Sequence, residues 1–204
     1  MALWIKICGL TSVDDALAAV DAGADAIGLN LVPSSKRFID RALAGRIREA
    51  VAARAEVVAV VADLSSSELV SLRAETGIEW LQLHGDESPE ALSELLPHAY
   101  KAVAVGTSAD VARAATFEGA RLLTDTKVSG ALGGTGQTFD WSLVRRLAED
   151  RPLILAGGLT PDNVSGAVAS VRPFGVDVAS GVESGDPRRK DVDKMKRFVR
   201  EARS

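Results

Sequence analysis

The stretch that decides the fold is Leu3-Trp4-Ile5-Lys6-Ile7-Cys8-Gly9-Leu10-Thr11-Ser12, near the start of the chain. Its apolar half predicts a β-strand over Trp4–Cys8, and Gly9 ends that strand. Thr11 or Ser12 can then cap the amino end of a helix. A strand followed at once by a helix is the first part of a β–α–β unit, so this stretch predicts a parallel sheet.

The same strand–helix unit recurs along the whole chain. Strands are predicted at Trp4–Cys8, Ala26–Leu31, Val57–Ala62, Trp80–Leu83, Tyr100–Val105, Arg121–Asp125, Leu153–Ala156 and Val176–Ala179. Helices are predicted at Val13–Ala22, Arg41–Arg54, Ser66–Thr76, Pro89–Leu96, Ala109–Phe117, Trp141–Glu149, Pro161–Val171 and Asp191–Ala202. Eight units within 204 residues favour one (β/α)8 barrel domain over residues 1–204. A doubly wound open sheet is the main alternative, but its Gly-x-Gly-x-x-Gly turn is missing after the first strand.

Residues with known preferences for helix ends support these boundaries. Thr107 or Ser108 can cap one helix, and the pair Thr160-Pro161 offers a cap followed by a first-turn proline. Gly23 and Gly77 stand where helices should stop.

Composition narrows the class of protein. Hydrophobic residues make up 47%, charged residues 25%, and the net charge is −4. We therefore expect neither nucleic acid nor an anionic membrane as a partner. One cysteine excludes an intrachain disulfide, and no residues have zinc-ligand spacing. With no signal peptide or membrane span in the sequence, a cytoplasmic protein is expected, and monomer and homodimer both stay open.

Cys8 ends the first predicted strand, where active-site residues of a (β/α)8 barrel lie. An ionised thiol at this position can act as a nucleophile or a base, although a lone cysteine is often a small buried hydrophobe. Lys6 shares the same face of the strand. It either favours the ionised thiol or pairs with a carboxylate inside the barrel.

Three further polar residues follow other strands. Asp125 shares an inward face with Arg121 and Leu123 if the sixth strand alternates regularly, and would then lie at the barrel mouth. Otherwise it caps a loop or helix. Arg37 suits a carboxylate or phosphate, or is a solvated loop charge. His84 is either a substrate contact or, as we favour, a hydrogen-bonded supporting residue.

Glycine-bearing loops follow the last three strands. They contain Gly133-Gly134, Gly157-Gly158 and Ser180-Gly181. Glycines let backbone N–H groups approach a ligand closely, and a helix amino end adds partial positive charge. Because barrels of this kind often bind phosphate with the loops after strands 7 and 8, these loops predict a phosphate site.

Six sequence blocks in order resemble phosphoribosylanthranilate isomerase, across essentially the whole chain. The blocks are Lys6–Thr11, Gln82–Glu87, Asp125 with Gly133–Gly136, Thr138–Trp141, Gly157–Val164, and Gly175–Val178 with Ser180–Glu183. The resemblance implies a single-domain barrel that needs no cofactor or metal. It also implies an Amadori rearrangement of N-(5-phosphoribosyl)anthranilate to 1-(2-carboxyphenylamino)-1-deoxyribulose 5-phosphate, in tryptophan biosynthesis.

The same resemblance assigns roles to individual residues. Cys8 matches the general base and Asp125 the general acid. Arg37 matches the arginine that holds the anthranilate carboxylate, and the three glycine-bearing loops match the phosphate site. Two positions depart from the family pattern: Ala179 stands where a serine is frequent, and Leu29-Asn30-Leu31 replaces a more aromatic run.

Three other functions remain as alternatives. A histidine-pathway or bifunctional isomerase performs the same rearrangement, but with an aspartate in place of Cys8 and with repeated half-barrels. A Schiff-base aldolase would use Lys6. A phosphosugar-binding barrel without activity would bind the ligand and leave it unchanged.

Overall fold

Eight parallel strands close into a barrel in chain order, β1 to β8. The computed structural model describes residues 2–126 and 141–204. The first strand pairs with the second and also with the eighth, Lys6 lying beside Asp177 in the latter pair. The predicted (β/α)8 barrel is therefore confirmed, and the open doubly wound sheet is wrong.

The elements follow the predicted order. The strands are β1 Trp4–Cys8, β2 Ala26–Asn30, β3 Glu56–Val61, β4 Trp80–Leu83, β5 Ala99–Val105, β6 Leu122–Thr126, β7 Leu153–Ala156 and β8 Gly175–Val178. The helices are α1 Val13–Asp21, α2 Arg41–Val51, α3 Ser66–Thr76, α4 Pro89–Ser93, α5 Ser108–Ala115, α6 Ser142–Asp150, α7 Val164–Val171 and α8 Val192–Ala202. Short 3₁₀ turns follow α2 at Ala52–Arg54 and β8 at Ser180–Val182.

Most of the predicted helix ends are confirmed. Ser12 and Thr107 cap α1 and α5, each accepting a backbone N–H of the first turn. Gly77 ends α3 in the left-handed region, with φ +66°, which a glycine adopts without strain. Gly23, with φ +98°, follows the last residues of α1.

The start of α7 was predicted wrongly. The helix begins at Val164, and Thr160-Pro161 lies in the loop before it. The Asn163 side chain accepts the Thr160 N–H and donates to the Gly158 carbonyl, so it organises a turn instead of a helix cap.

Side chains alternate between an outer core under the helices and the barrel interior. Ile5 and Ile7 of β1 belong to the outer core. The interior cluster includes Val58, Tyr100 and Leu123. The charges of Lys6 and Cys8 act on the buried Tyr100, so both side chains lie on the inner face of their strand. Within the described residues, no helix is long and apolar enough to cross a lipid bilayer.

Candidate active site

A cavity of about 440 Å³ lies at the carboxyl ends of the strands. Seven predicted site residues line it: Cys8, Arg37, His84, Asp125, Gly157, Gly158 and Ser180. Gly181 does not line the cavity; a Cβ there would overlap the Leu159 carbonyl, so the glycine lets two loops pack together. Gly133 and Gly134 lie outside the described residues.

The Cys8 sulfur lies beside the Lys6 ammonium on the inner face of β1. Both press against Gly28 of the neighbouring strand. A Cβ at Gly28 would be 2.6 Å from the Cys8 Sγ and 3.0 Å from the Lys6 Nζ. Glycine at this position therefore leaves the space that the thiol and the ammonium occupy.

Lys6 is fully buried and bound by groups from two other strands. Its Nζ donates to the Gln82 Oε1 at 2.8 Å and to the Asp177 Oδ2 at 2.9 Å. Burial alone would lower the Lys6 pKa, but the charge of Asp177, with that of Cys8 and Tyr100, outweighs it and raises the Lys6 pKa above its ordinary value. Lys6 thus remains an ammonium ion. It pairs with a carboxylate and also lies against the thiol, so the two alternatives predicted for Lys6 are met together.

Opposing effects act on the pKa of the Cys8 thiol. Burial raises the Cys8 pKa above its ordinary value, and Asp177 adds to this, whereas Lys6 and Lys190 lower it. The thiolate fraction therefore increases as the pH rises towards this elevated pKa. The two cations are the groups that make an ionised sulfur attainable.

Gln82 connects Lys6 to His84. Its Oε1 accepts from Lys6 and from the Tyr100 hydroxyl, which leaves its Nε2 as the donor to the His84 Nδ1 at 3.1 Å. A His84 ring that accepts at Nδ1 carries its proton on Nε2. Burial lowers the His84 pKa below its ordinary value, so the ring is neutral near pH 7. His84 is hydrogen bonded, as favoured from the sequence, and it also lines the cavity.

Asp125 comes from the end of β6, beside Ala104 and Ala156 of the adjacent strands. It lines the cavity together with Cys8, and β7 and β8 separate their two strands. Its charge acts on His84. The predicted inward face of β6 is thus confirmed, and a carboxyl and a thiol face one cavity from different sides.

Arg37 enters the cavity from the loop after β2. Its stem crosses Gly9, where a Cβ would overlap the Arg37 Cδ and where φ is +72°. Its Nε donates to the Glu183 Oε1 at 2.6 Å, and the Lys190 Nζ lies 3.3 Å from the same oxygen. Arg37 is therefore a held cation and not a solvated loop charge.

The loops after β7 and β8 form one wall of the cavity. Gly157 and Gly158 both have positive φ, at +92° and +63°, which bends the chain sharply over the mouth. The short 3₁₀ turn that starts at Ser180 follows β8 directly. Within the described residues, the cavity lining includes Ser180, the first residue of this turn, and no residue of α7.

The site also depends on four residues that the sequence pattern did not indicate: Gln82, Asp177, Glu183 and Lys190. Asp177 could have been found, since it is a charged residue at an inward position of a buried strand. No sequence signal marked Lys190, because it stands in the polar run Glu183–Asp193, which is typical of a solvated loop, whereas the structure buries it. Within residues 2–126 and 141–204, no three His, Cys, Asp or Glu side chains are grouped to hold a metal ion.

The fold and this cavity define a class: a (β/α)8 barrel whose mouth combines a thiol, a carboxyl, an arginine and a glycine-rich wall. The model of the N-(5'-phosphoribosyl)anthranilate (PRA) isomerase family matches residues 5–201. The chain belongs to this family.

Individual relatives agree. The N-(5'-phosphoribosyl)anthranilate isomerase of Magnetococcus marinus is 44% identical over 199 residues, which cover 98% of this chain and 94% of the relative. The Myxococcus xanthus enzyme is 43% identical, over 100% of this chain and 98% of its own. The crystal structure of phosphoribosyl anthranilate isomerase from Thermotoga maritima has a TM-score of 0.89 at 38% identity and covers 98% of both chains.

Proposed function

We propose that this protein is a phosphoribosylanthranilate isomerase acting in tryptophan biosynthesis. The reaction is an Amadori rearrangement that converts N-(5-phosphoribosyl)anthranilate to 1-(2-carboxyphenylamino)-1-deoxyribulose 5-phosphate. The observation that carries the proposal is the meeting of Cys8 and Asp125 at one cavity, together with Arg37 and the glycine wall. A crystal structure of phosphoribosyl anthranilate isomerase that is 36% identical, with a TM-score of 0.87, is a complex with reduced 1-(o-carboxyphenylamino)-1-deoxyribulose 5-phosphate.

The first step needs an acid. In our proposal Asp125 protonates the furanose ring oxygen while the anthranilate nitrogen forms a double bond to C1′ and the C1′–oxygen bond breaks. The product of this step is a protonated Schiff base with an open chain. Asp125 suits this step because it lines the cavity at the barrel mouth, within the same space as Cys8.

The second step needs a base. The Cys8 thiolate takes the proton from C2′, and the electrons of that bond move towards the iminium nitrogen to give an enol amine. The Asp125 carboxylate then takes the enol proton and the Cys8 thiol gives its proton to C1′, which yields the ketose and restores both groups. The active form thus has the proton on Asp125 and none on Cys8, and the nearby Lys6 ammonium stabilises the sulfur charge.

The remaining groups bind the two anionic ends of the substrate. Arg37 binds the anthranilate carboxylate, and the loops with Gly157, Gly158 and Ser180 bind the phosphate through backbone N–H groups. Gly133 and Gly134 belong to the same proposed phosphate site. We propose a cytoplasmic enzyme that acts as a monomer or homodimer without a cofactor or metal.

The structure weakens the aldolase alternative. A Schiff-base lysine must be a neutral amine in contact with substrate, whereas Lys6 is fully buried and held as an ammonium between Gln82 and Asp177. The histidine-pathway isomerase is disfavoured because it has an aspartate in place of Cys8. The third alternative, a barrel that binds phosphosugars without converting them, is tested by measuring turnover of phosphoribosylanthranilate.

The direct experiment follows the loss of anthranilate-type fluorescence when the purified protein meets freshly made phosphoribosylanthranilate. We expect catalytic conversion by the wild type. Binding without conversion would support the phosphosugar-binding barrel and contradict our proposal. Gel filtration coupled to light scattering decides between monomer and homodimer.

A further inference from the structure

Glu183 binds the arginine that faces the cavity, at one specific nitrogen. Its Oε1 accepts from the Arg37 Nε at 2.6 Å. In the described part of the chain, no hydrogen bond reaches the Nη1 or Nη2 of Arg37. One side of the guanidinium is thus occupied by the protein, and its terminal N–H groups are left to a ligand in the cavity.

Glu183 is fixed at one carboxylate oxygen and at its backbone. Its Oε1 also takes the Lys190 Nζ at 3.3 Å, and that ammonium donates to the Ala179 carbonyl at 2.9 Å. The Glu183 carbonyl accepts from the Lys194 Nζ at 2.8 Å, and its backbone N–H donates to Ser180. Only 12% of the Glu183 side chain is exposed. A largely buried carboxylate that also binds Lys190 and stands on a fixed backbone can orient the guanidinium it binds.

Charge balance favours a monoanionic ligand. Two cations, Arg37 and Lys190, surround one carboxylate, Glu183, so the cluster keeps one net positive charge. Without Lys190, Glu183 would cancel the charge of Arg37 and weaken its attraction for an anion. Arg37 can therefore bind a ligand carboxylate at Nη1 and Nη2 while Glu183 stays bound at its Nε.

We propose that Glu183 is a positioning residue that gives the site its selectivity for the ortho-carboxylate of the substrate. It occupies Nε of Arg37 and thereby directs Nη1 and Nη2 to the carboxylate in a two-bond arrangement. The stem of Arg37 crosses Gly9, which directly follows Cys8, so a carboxylate bound there has a defined place relative to the sulfur. This inference rests on the proposed function.

The test compares two stable ligands. One is reduced 1-(o-carboxyphenylamino)-1-deoxyribulose 5-phosphate, and the other is the same compound without the carboxyl group. We expect Glu183→Ala to reduce the preference for the carboxylated ligand about tenfold, since a hydrogen bond to a charged group no longer orients Arg37. Glu183→Gln, whose amide oxygen still accepts the Nε–H, should keep the preference within about threefold of wild type.

Kinetics give a second readout. Glu183→Ala should raise KM for phosphoribosylanthranilate about tenfold and lower kcat by a smaller factor, because Cys8 and Asp125 stay in place while Lys190, whose charge acts on Cys8, loses its partner. Glu75→Ala is the matched control, since it removes a carboxylate that holds Arg41 at 2.8 Å on the exposed surface. That variant should keep both KM and kcat.

Two results would overturn the inference. An equal loss of affinity for both ligands would mean that Glu183 only supports the loop. Tighter binding of the carboxylated ligand by Glu183→Ala would mean that Glu183 competes with the substrate for Arg37. Failure of the proposed function is a different result, because the wild type would then not convert phosphoribosylanthranilate at all.

Discussion

Each end of the barrel interior contains a cation, which is half-buried at the amino end and fully buried at the mouth, and the two ends use it differently. At the amino end the Arg121 guanidinium lies over the rings of Trp4, Trp80 and Phe174, at 5.1, 4.2 and 5.6 Å, and pairs with Glu56 at 2.6 Å. Aromatic faces cover this cation on several sides. The group seals the floor of the barrel.

At the mouth the cation is Lys6, and its surroundings are polar. It lies among Asp177, Gln82 and the Cys8 sulfur, below a cavity. The Asp177 Oδ1 is buried and has no hydrogen-bond partner in the described part of the chain. The contrast teaches that a cation covered by aromatic rings serves stability, whereas a cation left among titratable groups can serve chemistry.

The largest effect is expected at the reacting groups of the mouth. Cys8→Ala and Asp125→Asn should each lower kcat by about 10²- to 10⁴-fold, the usual value of one acid or base. The reduced product analogue should still bind, because Arg37 and the phosphate loops remain. Steady-state fluorescence kinetics and calorimetric titration measure the two quantities.

Retention of more than about a tenth of the wild-type kcat would remove the residue concerned from the mechanism. The thermal unfolding midpoints should stay close to wild type, so that a loss of activity is not a loss of fold.

The next effect concerns the cation beneath the thiol. Lys6→Met removes a positive charge that lowers the Cys8 pKa, so the thiolate should form only at still higher pH. We expect kcat at pH 7 to fall about 10- to 100-fold, as one pKa unit is a tenfold change in thiolate. Because Cys8 is the only cysteine, the pH dependence of iodoacetamide alkylation reports its ionisation directly.

Lys6→Met also leaves Asp177 as an unpaired buried carboxylate, which destabilises the fold. The double variant Lys6→Met/Asp177→Asn removes both charges. Comparing it with Lys6→Met separates the loss of the ammonium beside Cys8 from the cost of an unpaired Asp177. If Cys8 of Lys6→Met were alkylated with the same pH dependence as Cys8 of the wild type, the role of the ammonium would be contradicted.

A smaller effect is expected from filling the space beside the sulfur. A Cβ at Gly28 would contact Cys8 and Lys6 at 2.6 and 2.9 Å, so Gly28→Ala must displace one of them. We expect kcat to fall about tenfold, because displacement of a reacting group weakens its alignment with the substrate. Gly166→Ala is the control: it lies in α7 with open space around it and should stabilise the helix by about 0.5–1 kcal/mol. Unchanged kcat in Gly28→Ala would show that the position of the sulfur is not critical.

The smallest effect on activity is expected at the floor. Arg121→Met should lower the free energy of unfolding by about 1–3 kcal/mol, through loss of the stacked cation and its ion pair. The value of kcat should stay within about threefold of wild type. Urea denaturation and fluorescence kinetics measure both, and a loss of kcat as large as that of Lys6→Met would erase the distinction between the two ends.

Local sequence signals predicted the scaffold well. Four helix ends were predicted correctly because the residues that set them act within one helical turn. They are the starts at Ser12 and Thr107 and the stops at Gly23 and Gly77. The start of α7 failed because Asn163 competes for the loop backbone, and a sequence pattern does not show which of two local hydrogen-bonding schemes is the more stable.

By itself the sequence determined that strands and helices alternate, that Cys8 and Asp125 lie at the carboxyl ends of strands, and that glycines follow the last strands. These are properties of short segments, set by hydrophobic period and turn chemistry. Only the tertiary structure decided that Lys6 meets Gln82 and Asp177, which are 76 and 171 residues away. The same holds for Arg37 and Glu183, 146 residues apart. The reason is that closure of β1 against β8 joins the two ends of the chain, and charge pairing across such distances depends on the whole barrel.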